Sequence, residues 1–246
     1  MRAQASARYI RGCRERKDQG ARWLILTGIL GGMNETQARA KIKQTRDEVM
    51  HAIRRAAISE FSQHGFAGAS TQAIAKRAGL SKSALHYYIE DKETLYADLL
   101  GELLAVWMKL VEFDDEVDTP ADILARYIRE KLKFSFENPE LSRIFTTELL
   151  SGGHRLEKFW PGAVGNTNRT VAMIRKWVTA GKIRNLDPWL LMMHLWAMTQ
   201  YYADYAIQAE KMLRKPMTDR ALQAHVLDEL VAFVLAGCGL HSLKPK

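Results

Sequence analysis

The stretch TQAIAKRAGLSKSALHYY, Thr71 to Tyr88, decides the fold. Read from Thr71, it puts Ile74, Ala75 and Ala78 on the inner face of a short helix and Gly79 in a turn. Leu80, Leu85 and Tyr88 then anchor a second helix. Each residue type has a physical reason. Ala75 is small where the two helices cross at close range. Gly79 supplies a positive φ that other residues adopt only at a cost. Leu85 fills the angle between the helices. The outward residues of the second helix are Lys82, Ser83, His86 and Tyr87. They offer a cation, hydroxyls and a ring nitrogen, the groups that meet phosphates and base edges. A polar helical hairpin with no DNA role has the same spacing, so the flanks must decide.

Upstream, Val49, Ile53, Ala56, Ala57 and Phe61 recur at helical spacing from Thr45 onward, with Arg46, Arg54, Arg55 and Glu60 between them. His64-Gly65 ends that helix, because glycine is the common left-handed cap. Ser70 or Thr71 caps the next one. Downstream, Lys92 opens a fourth helix running to about Glu112. The flanks are also basic. Residues 41–92 hold nine Lys or Arg against five acids. Residues 1–40 hold Arg2, Arg8, Arg11, Arg14, Arg16, Lys17, Arg22 and Arg39 against Glu15, Asp18 and Glu35. The whole chain carries +8, which favours nucleic acid or an anionic membrane as partner and is silent about fold.

Further helices are expected at about 120–136, 140–151, 154–180, 188–213 and 218–237. The acidic stretch Glu112 to Asp118 is a loop, and Pro120, Pro139 and Pro188 lie near helix starts. Pro161 should break or kink the 154–180 segment. Nothing alternates with a strict period of two, so the expected fold is all-α. Cys13 and Cys238 are the two cysteines. They suggest neither a disulfide framework nor a metal cluster and suit a reducing cytoplasm. Trp23 to Leu30 is an apolar run behind a basic segment, the order of a signal peptide, but it is too short to span a bilayer. A disordered extension over residues 1–40 fits better. So does translation from Met33, where folded-domain patterning begins.

With these residues in place, the N-terminal part resembles the DNA-binding domain of the TetR family of repressors. The resemblance covers about 45–95. It rests on Gly65-Phe66, Ser70-Thr71, Ile74-Ala75, Ala78-Gly79-Leu80-Ser81, Leu85-His86-Tyr87-Tyr88 and Asp91-Lys92-Glu93-Thr94-Leu95. It implies an all-α homodimer that binds a near-palindromic double-stranded DNA operator and is released by a small molecule. It further implies that Thr71, Tyr87 and Lys92 contact phosphates, while Lys82, Ser83 and His86 face base edges. Two departures stand out. Ile89 replaces the usual aromatic and is expected to pack equally well. His86 stands where Tyr is common. The organisation expected is a helix-turn-helix domain over 41–92 and a helical ligand-binding and dimerisation domain over 93–240.

The helix after Pro188 is apolar on more than one side. Leu191, Leu195, Met198 and Tyr202 form one stripe, and Trp196, Gln200 and Ala203 lie on another. The last helix is apolar along Val226, Leu230, Phe233 and Val234. Two such helices from each subunit would make a four-helix dimer interface, although an intramolecular bundle has the same pattern. Segments such as Tyr127-Ile128-Arg129, Ser142-Arg143, Asp187-Pro188, Trp196-Ala197, Thr199-Gln200 and Tyr202-Ala203-Asp204, with Trp107, resemble the RutR-like pyrimidine-utilisation regulators within that family. That resemblance implies a planar pyrimidine effector such as uracil or thymine. Trp196 would stack on it, and the Gln200 amide, one turn away, would pair with its imide edge. A Trp and a Gln one turn apart in an ordinary core remain the alternative.

His194, Glu148 and Asp204 have neither zinc-site spacing nor a nucleophile-plus-base arrangement, and Gly152-Gly153 lacks the context of a phosphate loop. No cofactor, metal or membrane partner is therefore expected. An all-α enzyme would leave the 71–88 motif unexplained. A regulator of the same fold that senses another compound stays open.

Overall fold

Side-chain caps fix where most of the helices begin. The computed structural model describes residues 35–110 and 118–240, with side chains from Thr45 onward. Helix α1 spans Glu35–Gly68, α2 Thr71–Arg77, α3 Lys82–Tyr88 and α4 Lys92–Lys109. Then come α5 (Pro120–Glu137), α6 (Pro139–Leu150), a 3-10 turn (His154–Phe159), α7 (Trp160–Thr179), α8 (Pro188–Asp204), α9 (Ala206–Leu213) and α10 (Arg220–Gly237). Ser70 Oγ accepts from the Ala73 amide at 3.0 Å, and Ser81 Oγ from that of Ala84 at 3.1 Å. Asp91 accepts from Thr94 at 2.7 Å, and those bonds hold its carboxyl below the usual range. Thr119, Asp187 and Asp219 cap α5, α8 and α10 in the same way. Each such cap is worth about 1 kcal/mol. No strand occurs among the described residues, so the chain is all-α there.

Two apolar cores organise the helices. The first gathers Ile53, Ala57 and Phe61 of α1, Ile74 and Ala75 of α2, Leu85 of α3, and Tyr96, Leu99 and Leu103 of α4. Leu141 and Ile144 of α6 and Leu156 of the 3-10 turn complete it. The second joins Ile123, Ile128 and Leu132 of α5, Ile174 and Trp177 of α7, Leu195 of α8, and Val226, Val234 and Leu235 of α10. Burying a Leu or Ile side chain contributes roughly 1.5–3 kcal/mol, which makes these two cores the main favourable term holding the helices together. Ile89 is buried in the first core, where the family's aromatic would sit.

Several elements differ from the sequence expectation. The first helix starts at Glu35 rather than Thr45, so residues 35–40 are helix and not extension. Residues 1–34, including the proposed signal-like run, lie outside the described residues. The same is true of 111–117 in the acidic loop. Gly65, at φ 63°, breaks the first helix as anticipated. The 154–180 segment divides into the 3-10 turn and α7, which takes Pro161 in its first turn, where a missing amide costs nothing. The expected 188–213 helix is two helices, because Tyr205 leaves helical geometry at φ −110°, ψ 27°. The inner stripe of α8 is Met192, Leu195, Thr199 and Ala203. Ala203 is fully buried and does not share an outward face with Trp196.

Candidate DNA-reading surface and effector site

Helices α2 and α3 cross through Ala75 and Leu85, both fully buried, which leaves the outer face of α3 to solvent. Gly79 adopts φ 73° in the turn between them. A β-carbon built there meets no atom within 4 Å, so the position needs glycine for its backbone and not for space. Lys82, Ser83, His86 and Tyr87 are all exposed. Tyr87 shows 74% of its surface to solvent, with its ring edge-on to Tyr88 at 5.2 Å. An aromatic this exposed beside Lys82 and His86 has no internal role to explain it. Ser83 Oγ lies 3.0 Å from Ser81 Oγ, so the capping serine steadies that exposed hydroxyl.

Thr71 is the first residue of α2, part-exposed at that helix's N-terminus. Lys92 is placed differently from a free surface cation. Its Nζ donates to the Phe66 carbonyl at 2.8 Å and to the Ala69 carbonyl at 2.9 Å, and lies 4.3 Å from the Phe66 ring centre. Two of its three N–H donors are thus spent on the corner between α1 and α2. One donor remains uncommitted to the corner.

The expected effector residues do not form one constellation. Trp107 points inward from α4, edge-on to Phe134 and Phe145 at 6.0 and 4.9 Å. Trp196 sits on the outer side of α8, 36% exposed, with the buried Tyr127 hydroxyl as a polar neighbour. Gln200 turns its amide nitrogen toward α6, within 3.2 Å of Asp204 Oδ1, 3.3 Å of the Ser142 carbonyl and 3.5 Å of Thr146 Oγ1. Asp204 in turn accepts from Thr146 at 2.8 Å. Burial raises the Asp204 pKa, and the bonds from Thr146 and Gln200 pull against that shift.

Sequence reasoning missed the residue that links these groups. Lys131 of α5 is 3% exposed, and its Nζ lies 3.0 Å from the Trp107 ring centre. Burial holds its ammonium well below the ordinary lysine value, while the Asp204 charge opposes that shift. Trp107 Nε1, Ser135 Oγ of α5 and Ser142 Oγ of α6 are likewise buried without a hydrogen-bond partner. Buried polar groups left unsatisfied each cost about 1–3 kcal/mol, so these donors are the polar groups of this region open to a further hydrogen bond. A helical signal was available: Lys131 falls on the apolar stripe of α5 with Ile128 and Ser135.

Other chemistry has less to stand on. Among the described residues no group of three or more His, Cys, Asp or Glu could hold a metal ion. The groove of about 290 Å³ between α1 and α4 is lined by Asp47, Arg54, Asp98 and Glu102 and crossed by the Arg54–Glu102 ion pair. It is charged, open and remote from the buried cluster. No described helix is long and apolar enough to cross a membrane.

Comparison with known proteins agrees with this geometry. Residues 53–99 match the family of bacterial regulatory proteins described as the tetR family, and residues 100–241 match the YcdC-like protein C-terminal region. The chain is 34% identical over 187 residues to the HTH-type transcriptional regulator RutR of Escherichia coli K12, covering 76% of this chain and 88% of that protein. It is 28% identical over 85 residues to the HTH-type transcriptional repressor AcnR of Corynebacterium diphtheriae, 35% of this chain and 43% of that one. Among solved structures, a Clostridium perfringens regulator superposes with a TM-score of 0.62 at 22% identity, over 76% of this chain and 97% of that one. A TetR family transcription regulator from Marinobacter aquaeolei gives 0.57 at 19% identity, over 78% and 97%. These relatives are regulators and not enzymes. The chain belongs to the TetR family of bacterial transcriptional regulators and is a RutR-like DNA-binding regulator.

Proposed function

We propose that this regulator is a cytoplasmic homodimeric repressor that reads a near-palindromic operator and leaves it when a pyrimidine such as uracil or thymine binds. In this reading residues 41–92 form the DNA-binding domain and 93–240 the effector and dimer domain. Lys82, Ser83 and His86 face base edges, with Thr71, Tyr87 and the remaining Lys92 donor on phosphates. Tyr87 carries the DNA assignment, being 74% exposed at the outer face of α3.

The effector reading rests on Lys131 and the unpaired buried donors. Trp107 Nε1, the Lys131 ammonium and the Ser142 hydroxyl favour a ligand rich in carbonyl acceptors, and the Gln200 amide adds a donor–acceptor edge. Trp196 stacks only if α8 rotates or the partner subunit closes over it. The dimer reading rests on exposed apolar side chains along α8 and α10. Leu190, Met193 and Phe233 are 51, 49 and 69% exposed, a pattern that suits an isologous four-helix contact. The choice of a pyrimidine over other effectors is what the resemblance to the pyrimidine-utilisation regulators implies.

Operator binding measured with and without uracil and thymine tests the proposal. Release by either base is expected, and unchanged affinity would remove the pyrimidine while leaving the DNA assignment. A Lys82→Ala, Tyr87→Ala double variant should stay dimeric and lose operator binding. Undiminished binding would refute the contact assignment.

A further inference from the structure

Phe66, at the corner between α1 and α2, lies under two cations. Lys92 Nζ is 4.3 Å from its ring centre, and the Arg155 guanidinium carbon is 3.6 Å from it. Lys92 belongs to the start of α4, but Arg155 comes from the 3-10 turn after α6, far along the chain. Arg155 is tethered on both sides. Its Nε lies 2.7 Å from a Glu93 carboxylate oxygen of α4, an ion pair without hydrogen-bond alignment, and its own amide donates to Glu148 of α6 at 2.9 Å. Glu148 is only 2% exposed and also receives Arg155 Nη1 at 3.5 Å. One guanidinium therefore touches the helix-turn-helix corner, the head of α4 and the end of α6 together.

The other side of α6 faces the buried polar cluster. Arg143 Nη1 donates to the Ala203 carbonyl at 3.1 Å, and Thr146 bonds Asp204. A 12-residue helix thus has one face bonded to α8 and its last turn locked through Glu148 to Arg155. We infer that Arg155 is a positioning residue for operator binding: stacked on Phe66 and held by Glu148, it fixes the orientation of the helix-turn-helix relative to α6. This goes beyond the proposed effector and holds whatever ligand the cluster takes. Arginine suits the place because its flat guanidinium stacks on a ring while still pairing two carboxylates. A lysine ammonium cannot do both.

The test uses the full-length dimer and a duplex enriched by the wild-type protein from a random DNA pool. Arg155→Met should weaken binding of that duplex about tenfold, an ordinary size for coupling between sites. Arg155→Lys, which keeps the charge and loses the plane, should fall between. Amide hydrogen exchange should quicken across 62–92 and stay unchanged across 120–137. Because Phe66→Leu removes the same contact along with others, it should weaken binding less in the Arg155→Met background than in wild type. Affinity within twofold of wild type, or an increase, would overturn the inference. Exchange loosened equally in both segments would also overturn it, since that marks a general stability role. If the pool yields no preferred duplex, the DNA assignment falls, and the exchange measurement still decides Arg155.

Discussion

Replacing Lys131 by Met should make the protein more stable and less responsive at the same time. The lysine is 3% exposed, and its ammonium rests on the Trp107 ring with Asp204 as its charged neighbour. Methionine keeps most of the stem, adapts to irregular space and brings no charge. The change forfeits a desolvated cation–π contact worth about 2 kcal/mol. It also removes the cost of holding an ammonium out of water, which is several kcal/mol. Asp204 is not stranded, because Thr146 and Gln200 still bond it. Replacing a whole buried ion pair by apolar residues is neutral or stabilising by about 1–4 kcal/mol, and the single change should follow the same direction because Asp204 is half-buried and keeps its own hydrogen bonds. A central figure of about 2 kcal/mol raises the melting temperature of a chain this size by roughly 4–8 °C. The gain depends on pH with a definite sign. Burial depresses the folded pKa, so between that value and the ordinary one near 10.4 the unfolded chain binds more protons. Wild-type stability therefore climbs as pH rises through that window, and the cost of the buried charge is full below it. The advantage of the Met variant should be largest on the acid side and shrink toward pH 10. Urea unfolding at pH 6.5, 8 and 9.5 measures this. A Met variant less stable than wild type, or a gap indifferent to pH, would refute the claim that burial of the charge dominates.

Other outcomes follow from the reading head. Gly79→Ala should cost about 1–2 kcal/mol in urea unfolding, all of it backbone, since φ is 73° and nothing crowds the new methyl; Gly79→Asn should cost less. Ser81→Ala removes the cap of α3 and should cost about 1 kcal/mol. It should also weaken operator binding, because the reading helix frays from its first turn. Lys82→Ala should leave stability within about 0.5 kcal/mol. Because Lys82 faces a base edge in the proposed reading, the change should relax sequence preference with the salt slope of DNA binding nearly unchanged, measured by anisotropy across a salt series. A slope lowered by about one with sequence preference intact would instead move Lys82 to a phosphate.

The reading head was legible because its determinants are close in sequence. Ala75, Gly79 and Leu85 lie within eleven residues, and spacing alone states their geometry. Lys92 shows where such reading stops. The carbonyls it serves belong to Phe66 and Ala69, 26 and 23 residues earlier, and no local pattern announces that a surface-type cation will turn back to them. Lys131 was hidden by its neighbours. Arg129, Glu130 and Lys133 give α5 an ordinary charged face, and one more lysine among them reads as solvated. Trp196 and Gln200 share a helix face by spacing. Yet spacing cannot tell that α6 captures the Gln200 amide while Trp196 stays on the outside. The break at Tyr205 was also unreadable, because the chain there carries no Gly or Pro to mark it.

The two halves of the molecule are not independent bodies joined by a linker. α6 gives Leu141 and Ile144 to the core of the reading head, yet its Arg143 and Thr146 bond to α8. A ligand moves the reading head only if it binds one arrangement of α6 better than the other. A hundredfold loss of operator affinity needs a difference of about 2.7 kcal/mol. Net hydrogen bonds contribute roughly 0.5–1.5 kcal/mol each, so two or three new pairings among Trp107 Nε1, Ser135 Oγ, Ser142 Oγ and Lys131 suffice. Ser142 is the informative member, because it stands on α6 itself. Ser142→Ala removes one orphan donor without touching the reading head, so it should leave operator affinity in the absence of effector nearly unchanged. It should reduce the effector's influence on DNA by about the same factor as the DNA's influence on effector, since linkage makes the two equal. A Ser142→Ala variant whose effector still weakens operator binding by the wild-type factor would mean that Ser142 takes no part in coupling the site to the reading head.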